Sequence, residues 1–271
     1  MFSEQYHLLS QEAHLTKSSL LSGLDSLKKA NLDDRGLFYS GLFQLSIGLE
    51  RLMKIVVLLD YKVENSYSNP TNRELRSYGH NIEQLYEKCS YINSKYNNGI
   101  AFDIDDKQKK ILNVVSSFGT GARYYNLDKI SSSNHSTDPL VLWASVITEH
   151  IWGLRPSIRR KLESDAIEWV DKNGSADSWY PGRNINGELM MMSEYHYLFH
   201  ATAKASGHVI WSIISILEPF YFLLQRLTFK LHELQDSMKS SQQVPHIYEY
   251  FPFFLSLKEQ VLRKREWKWS S

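Results

Sequence analysis

Apolar residues recur at helical spacing through most of the chain. Between Tyr6 and Ala30, Leu8, Leu9, Leu15, Leu20, Leu24 and Leu27 are separated by polar positions, the pattern of one amphipathic helix. Asn31 to Asp34 stops it, and the next segment, Arg35 to Tyr61, is apolar around most of its circumference. A helix of that kind belongs in the middle of a bundle. After a polar loop, Val63 to Pro70, Thr71 with Glu74 three residues on predicts a capping box and a short helix. Gly79 marks a break before a helix from His80 to about Lys95, and Asn97 to Gly99 form a turn. Asp105 or Asp106 is placed to cap a helix through Ile111, Val114 and Val115 to Phe118, with Gly119 to Gly121 stopping or bending it.

The Ser- and Asn-rich stretch Ser131 to Asp138 is the clearest linker. It ends in Asp138-Pro139, an N-cap followed by proline in the first helical turn. Leu140 to about Lys172 reads as one helix kinked at Pro156 and ended by Asn173-Gly174. A polar loop spans Ser175 to Asn186. Glu188 to about Lys239 is then a very long helical stretch that must bend near Gly207 or Pro219, as two helices or one kinked helix. Beyond Pro245 and Pro252, a final short helix covers Phe253 to Glu266. No stretch has sustained strand alternation, and Ile100 to Ile104 is the one place for a short strand. The expected fold class is all-α, a multi-helix bundle, organised as residues 1–130 and an additional helical region at 138–271 that packs on it or shares its domain.

Composition changes this picture little. With 271 residues and 42% hydrophobic content the chain can bury a sizeable core. Lys and Arg number 31 against 30 Asp and Glu, so any polyanion site must be a local patch. The apolar runs Gly36 to Leu59 and Val209 to Leu224 are interrupted by Glu50, Arg51 and Lys54 and by Glu218 and Pro219, which favours buried core helices over membrane spans. The first residues carry Glu4 and no basic region ahead of an apolar run, so no secretory signal is expected. The single cysteine, Cys89, cannot pair within the chain and is expected as a buried, inert thiol. These cues together predict a cytoplasmic protein with no membrane partner.

Three segments carry a family resemblance: Leu49-Glu50-Arg51-Leu52-Met53-Lys54, then Gly79-His80-Asn81-Ile82-Glu83-Gln84-Leu85, then Ala122-Arg123-Tyr124-Tyr125. In order and spacing they resemble the Glu-Lys, His-Asp-Leu and Arg-Tyr motifs of the HEPN superfamily of prokaryotic helical bundles, over roughly residues 35 to 130. The resemblance implies an up-down bundle that forms a homodimer and works in toxin–antitoxin pairs or antiviral defence. Such members cleave or bind RNA against an antitoxin partner, or serve as the non-catalytic partner of a nucleotidyltransferase.

Catalytic members of that family carry an Arg, four to six residues and a His. Two stretches approach this pattern here, Arg73 to His80 with Glu74 following the arginine, and Arg226 to His232 with Leu227 following it. Metal-independent RNA cleavage needs a base to take the 2′-hydroxyl proton and a cation to stabilise the charge gathering on phosphorus, which histidine and arginine supply. The structural alternative for His80 is a helix cap or a core histidine.

Arg155, Arg159 and Arg160 with Lys161 form one candidate RNA-binding face. Arg263, Lys264, Arg265 and Trp267, followed by Lys268 and Trp269, interleave cations with aromatics and form another. For the tail, the alternative is that its tryptophans dock it onto the bundle. His196 and His200 have the four-residue spacing of metal ligands, but no Glu follows His196 and no third ligand is fixed. No metal and no cofactor is expected.

Overall fold

The computed structural model describes residues 2–77, 79–96, 99–121, 124–131, 137–174, 178–238 and 243–267. The chain is 76% helical, a multi-helix α bundle with one two-stranded ribbon among the described residues. The first helix, α1 (Glu4–Lys29), begins at Ser3, whose hydroxyl accepts the Tyr6 N–H. It is followed by α2 (Gly36–Glu64).

These two helices run antiparallel, with Leu20 against Gly48, Leu45 against Gly23 and Leu27 against Gly41. A Cβ placed on any of the three glycines would stand 2.7 Å from the leucine facing it. Each leucine therefore fills the space of the missing side chain, and the backbones approach closely along a shared seam.

The capping box predicted at Thr71 forms: Thr71 Oγ1 accepts the Glu74 N–H at 3.2 Å, and Glu74 Oε2 accepts the Thr71 N–H at 2.6 Å, opening α3 (Asn72–Ser77). α4 (Ile82–Tyr96) packs on α2, tied at its far end by buried Asp60, which accepts from Lys95 Nζ at 2.9 Å and Tyr96 OH at 2.7 Å. Asp105 opens α5 (Asp106–Thr120) through a reciprocal box with Gln108. This helix continues through Gly119 and ends at Gly121, inside the Gly119 to Gly121 stop read from the sequence. Ile100 to Ile104 forms no strand. The short α6 (Tyr125–Ile130) buries none of its residues.

Asp138 Oδ1 accepts the Leu140 N–H at 2.8 Å and starts α7 (Pro139–Trp152), as the Asp-Pro pair predicts. The expected single kinked helix is instead two, because the chain turns through Gly153 to Arg155 and Pro156 takes the first position of α8 (Pro156–Lys172). Proline needs no helical donor there. The polar loop expected at Ser175 to Asn186 contains a strand: β1 (Trp179–Arg183) pairs antiparallel with β2 (Leu189–Met191) across a turn with Gly187 at φ 83°. Pro181 and Gly182 inside β1 hide it from pattern reading, since both residues are depleted in strands. The ribbon is held from outside. Tyr180 stacks on Tyr195 at 4.0 Å, and the hydroxyls of both donate to Asp33 in the α1–α2 turn.

The long C-terminal stretch is one helix, α9 (Met192–Met238), which passes through Gly207 and Pro219 without dividing in two. It packs against α1, α2, α5, α7 and α8, and that packing holds the proline turn helical. By length and composition α9 could cross a membrane, its most apolar window having a mean hydropathy of 1.5, and 61% of that window is buried inside the bundle. Of the expected final helix, Phe253 to Glu266, only Lys258–Arg263 is α-helical (α10); 3-10 turns at Ile247–Tyr250 and Pro252–Leu255 precede it. One hydrophobic core runs from Leu9 to Trp267 and includes Cys89, whose thiol is pushed up by burial.

Gly48→Val should lower stability by about 1–3 kcal/mol, the usual cost of overpacking a core, because both the side chain and the backbone of Leu20 lie in the way. Urea denaturation measures it, and an unchanged midpoint would mean that the α1–α2 seam has slack.

Candidate functional site

A cleft of about 630 Å³ opens where α1, α2 and the α3–α4 turn meet, lined by Glu12, Arg51, Lys54, Arg76, Gly79 and His80 with Leu9, Ile55 and Leu58 at its floor. Local structure brings His80 there. Gly79 turns the chain at φ 61°, and its N–H closes the end of α3 on the Arg76 carbonyl at 3.0 Å. Asn81, not His80, caps α4 by accepting the Gln84 N–H at 3.0 Å. The His80 carbonyl rests against the last turn of α5, where a Cβ on Gly119 would stand 2.9 Å from it. The backbone is pinned while the imidazole, 69% exposed, faces the cleft.

Glu50 is the hub of the site. Its Oε1 accepts from Lys54 Nζ at 2.7 Å and from His80 Nδ1 at 2.9 Å. A carboxylate oxygen can only accept, so the Nδ1 of His80 carries a proton and the lone pair of the neutral ring lies on Nε2. Arg51 is held at 2.6 Å by Glu12 of α1. Arg76 makes no ion pair with a described residue. The arrangement offers an oriented imidazole base with three cations along the same cleft, the elements required to hold a phosphodiester and remove a nearby proton.

Of the first predicted pair, His80 lies in this cleft. Arg73 lies exposed on α3 and does not line it, and Arg76, one turn later, takes that place. Sequence reading missed Glu50 as the partner of His80. Its i,i+4 pairing with Lys54 was legible, but the contact across 30 residues was not. The second pair diverges: six residues on one continuous helix place Arg226 and His232 roughly 120° apart around α9. His232 Nε2 is committed to the Val244 carbonyl at 3.0 Å, and its ring packs edge-on against His246 at 4.7 Å.

Arg155 and Arg160 are exposed on the first turns of α8, and the Arg159 guanidinium stacks over Trp152 at 4.7 Å. All three stand at the α7–α8 corner, and Lys161 beside them pairs with Asp165 at 3.0 Å. In the tail, Arg263 and Arg265 are exposed and Lys264 lies over the Trp267 ring at 4.5 Å. The Trp267 side chain is 1% exposed, and the backbone N–H of this residue donates to Asp25 of α1 at 2.9 Å. Its ring is packed in the core, as the docking alternative for the tail has it. Lys268 and Trp269 lie outside the described residues, as do Ala122 and Arg123 of the third motif.

His196 and His200 pack at 4.6 Å beneath Trp169, which stacks on His196 at 4.9 Å. Among the described residues no group of three or more His, Cys, Asp or Glu is placed to hold a metal.

No family model, no curated protein and no solved structure matches this chain.

His150, His196 and His208 have their pKa values lowered, each mainly by burial. A base depressed in the fold stabilises it above the unfolded value near 6.5, and that stability is lost as pH falls through the folded value. The melting temperature should therefore decline from about pH 6.5 downward, and His150→Gln should flatten part of that slope. Calorimetry at graded pH checks this, and a melting temperature flat through the window would contradict it.

Proposed function

We propose that this chain acts on RNA as a metal-independent endoribonuclease, with the His80 cleft as its active site. The observation that carries the reading is the 2.9 Å contact of Glu50 with His80 in an open cleft lined by Arg51, Lys54 and Arg76. Held through Nδ1, the imidazole presents Nε2 to the 2′-hydroxyl of a bound ribose. The 2′-oxygen attacks the adjacent phosphorus as its proton passes to Nε2. The bond to the 5′-oxygen breaks, that oxygen takes a proton from water in the open cleft, the imidazolium gives its proton to the hydroxide so formed, and a 2′,3′-cyclic phosphate remains. Arg51, Lys54 and Arg76 stabilise the charge on the non-bridging oxygens. Arg155, Arg159 and Arg160 at the α7–α8 corner supply a further phosphate-binding face. The resemblance of residues 35 to 130 to HEPN bundles supports a toxin–antitoxin or antiviral defence setting, a homodimer and a cytoplasmic location.

Purified protein should cleave single-stranded RNA in the presence of EDTA and leave cyclic phosphate ends. His80→Ala should slow cleavage by about 100-fold or more, the usual contribution of a general base, and Glu50→Gln should slow it less. Arg226→Ala with His232→Ala should leave the rate unchanged. Cleavage by His80→Ala at the wild-type rate would end this assignment.

A second reading is favoured by α6, which exposes Leu127 and Ile130, the latter by 82%. Such an apolar face suits a non-catalytic interaction module that docks a nucleotidyltransferase or other effector subunit. It predicts no RNA cleavage by any variant and a stable complex with that subunit, lost in Ile130→Glu.

A further inference from the structure

At the other end of α1, roughly 24 Å from Glu12 at 1.5 Å per residue, cations gather without acids to balance them. Lys28 lies in the last turn of α1 and is half-buried. Its neighbour Lys29 pairs with Asp25, whereas Lys28 has no hydrogen bond or ion pair to any described residue. Its ammonium reaches across to α9 at Gly207, where a Cβ would stand 3.3 Å from Nζ. The same missing Cβ admits the α10 backbone, with the Leu262 Cα also 3.3 Å away. Lys258 lies one turn before Leu262 on α10.

His208, the next residue on α9, is half-buried and faces Lys258, His150, Lys28 and Lys107, with no carboxylate among its charged neighbours. Two of these groups are already engaged. His150 donates from Nδ1 to the Val146 carbonyl at 2.7 Å and accepts the Ser212 hydroxyl at Nε2 at 2.9 Å. Lys107 donates to the Glu149 carbonyl at the end of α7. The Glu149 carboxylate is taken by Lys110, and Asp105, which also acts on His150, caps α5. Lys28, His208 and the exposed Lys258 remain, contributed by three helices around Gly207, where α1, α9 and α10 meet.

Lys28 and His208 are half-buried, and a positive charge left without a counter-charge in a partly desolvated place raises the energy of the fold. The unpaired set makes physical sense when a counter-charge arrives from outside. We propose that Lys28, His208 and Lys258 bind the phosphoryl group of a small phosphorylated ligand, at a site separate from the His80 cleft. A tetrahedral dianion suits three donors arriving from different directions, and lysine serves as a point charge for phosphate. Burial and the surrounding cations lower the pKa of His208, so anion binding draws a proton onto its ring. This inference does not depend on the ribonuclease reading.

Isothermal titration of the full chain with inorganic phosphate and with AMP, at ionic strength fixed by NaCl, tests it. Both should bind, with proton uptake revealed by buffers of different ionisation enthalpy. Lys28→Met and Lys258→Met should each weaken binding at least tenfold. Lys28→Met removes an unpaired charge and should melt no lower than wild type, so lost binding will not reflect lost folding. Equal affinity for the two probes assigns the site to the phosphoryl group alone, and tighter AMP binding assigns it to a nucleotide. Binding that survives both lysine substitutions but is lost in Arg76→Ala belongs to the His80 cleft and overturns the proposal. Overturning it equally are no binding above the NaCl control and displacement of bound phosphate only by RNA.

Discussion

Leu20, Leu27 and Leu45 occupy the space that side chains would take at Gly48, Gly41 and Gly23, and through these three contacts α1 and α2 approach with no room for a Cβ at any of the glycines. The seam fixes both the distance and the register of the pair. A slip of one turn would drive leucines into leucines and leave the glycine gaps empty. That register sets Glu12 of α1 beside Arg51 of α2 and so builds one wall of the His80 cleft. The opposite end of the same pair places Lys28 against α9.

α9 is the second organising element. It touches most of the other helices and gathers residues from both sides of the linker into one core, so the protein has a shared interior and not two separate ones. Its length carries a local cost at Pro219, where the ring removes a backbone donor. Burial of Ile213, Leu217, Phe220 and Leu224 around that point offsets the cost. Gly207 plays a different part: it lets α10 and the Lys28 side chain approach the helix together.

The two charged sites differ in how their charges are met. At the cleft, Glu50 and Glu12 partner the cations, leaving one imidazole oriented and one arginine unpaired, an arrangement suited to chemistry on a ligand that comes and goes. Around Gly207 no acid is supplied to Lys28, His208 and Lys258, an arrangement suited to holding an anion. Exposure separates them as well. His80 is largely solvated, while Lys28 and His208 are half-buried, so electrostatic interactions at Gly207 are less screened.

The sequence by itself determined the helical class and most helix starts. The capping box at Thr71 and Glu74, the Asp105 cap, the Asp138-Pro139 start and the Asn173-Gly174 stop are all hydrogen bonds or turns closed within four residues, so their partners can be read from spacing alone. Tertiary structure decided the rest. The ribbon at Trp179 is held because Tyr180 and Tyr195 reach Asp33, 147 and 162 residues away, and α9 stays one helix because its neighbours pack around Pro219. The same holds for the site. His80 was legible as a candidate, but which arginine joins it depends on how α3 is laid against α2, and spacing favoured Arg73 where packing supplies Arg76. Glu50 and His80 are 30 residues apart, and only the closeness of α2 to the α3–α4 turn turns a helix-surface ion pair and an exposed histidine into one unit.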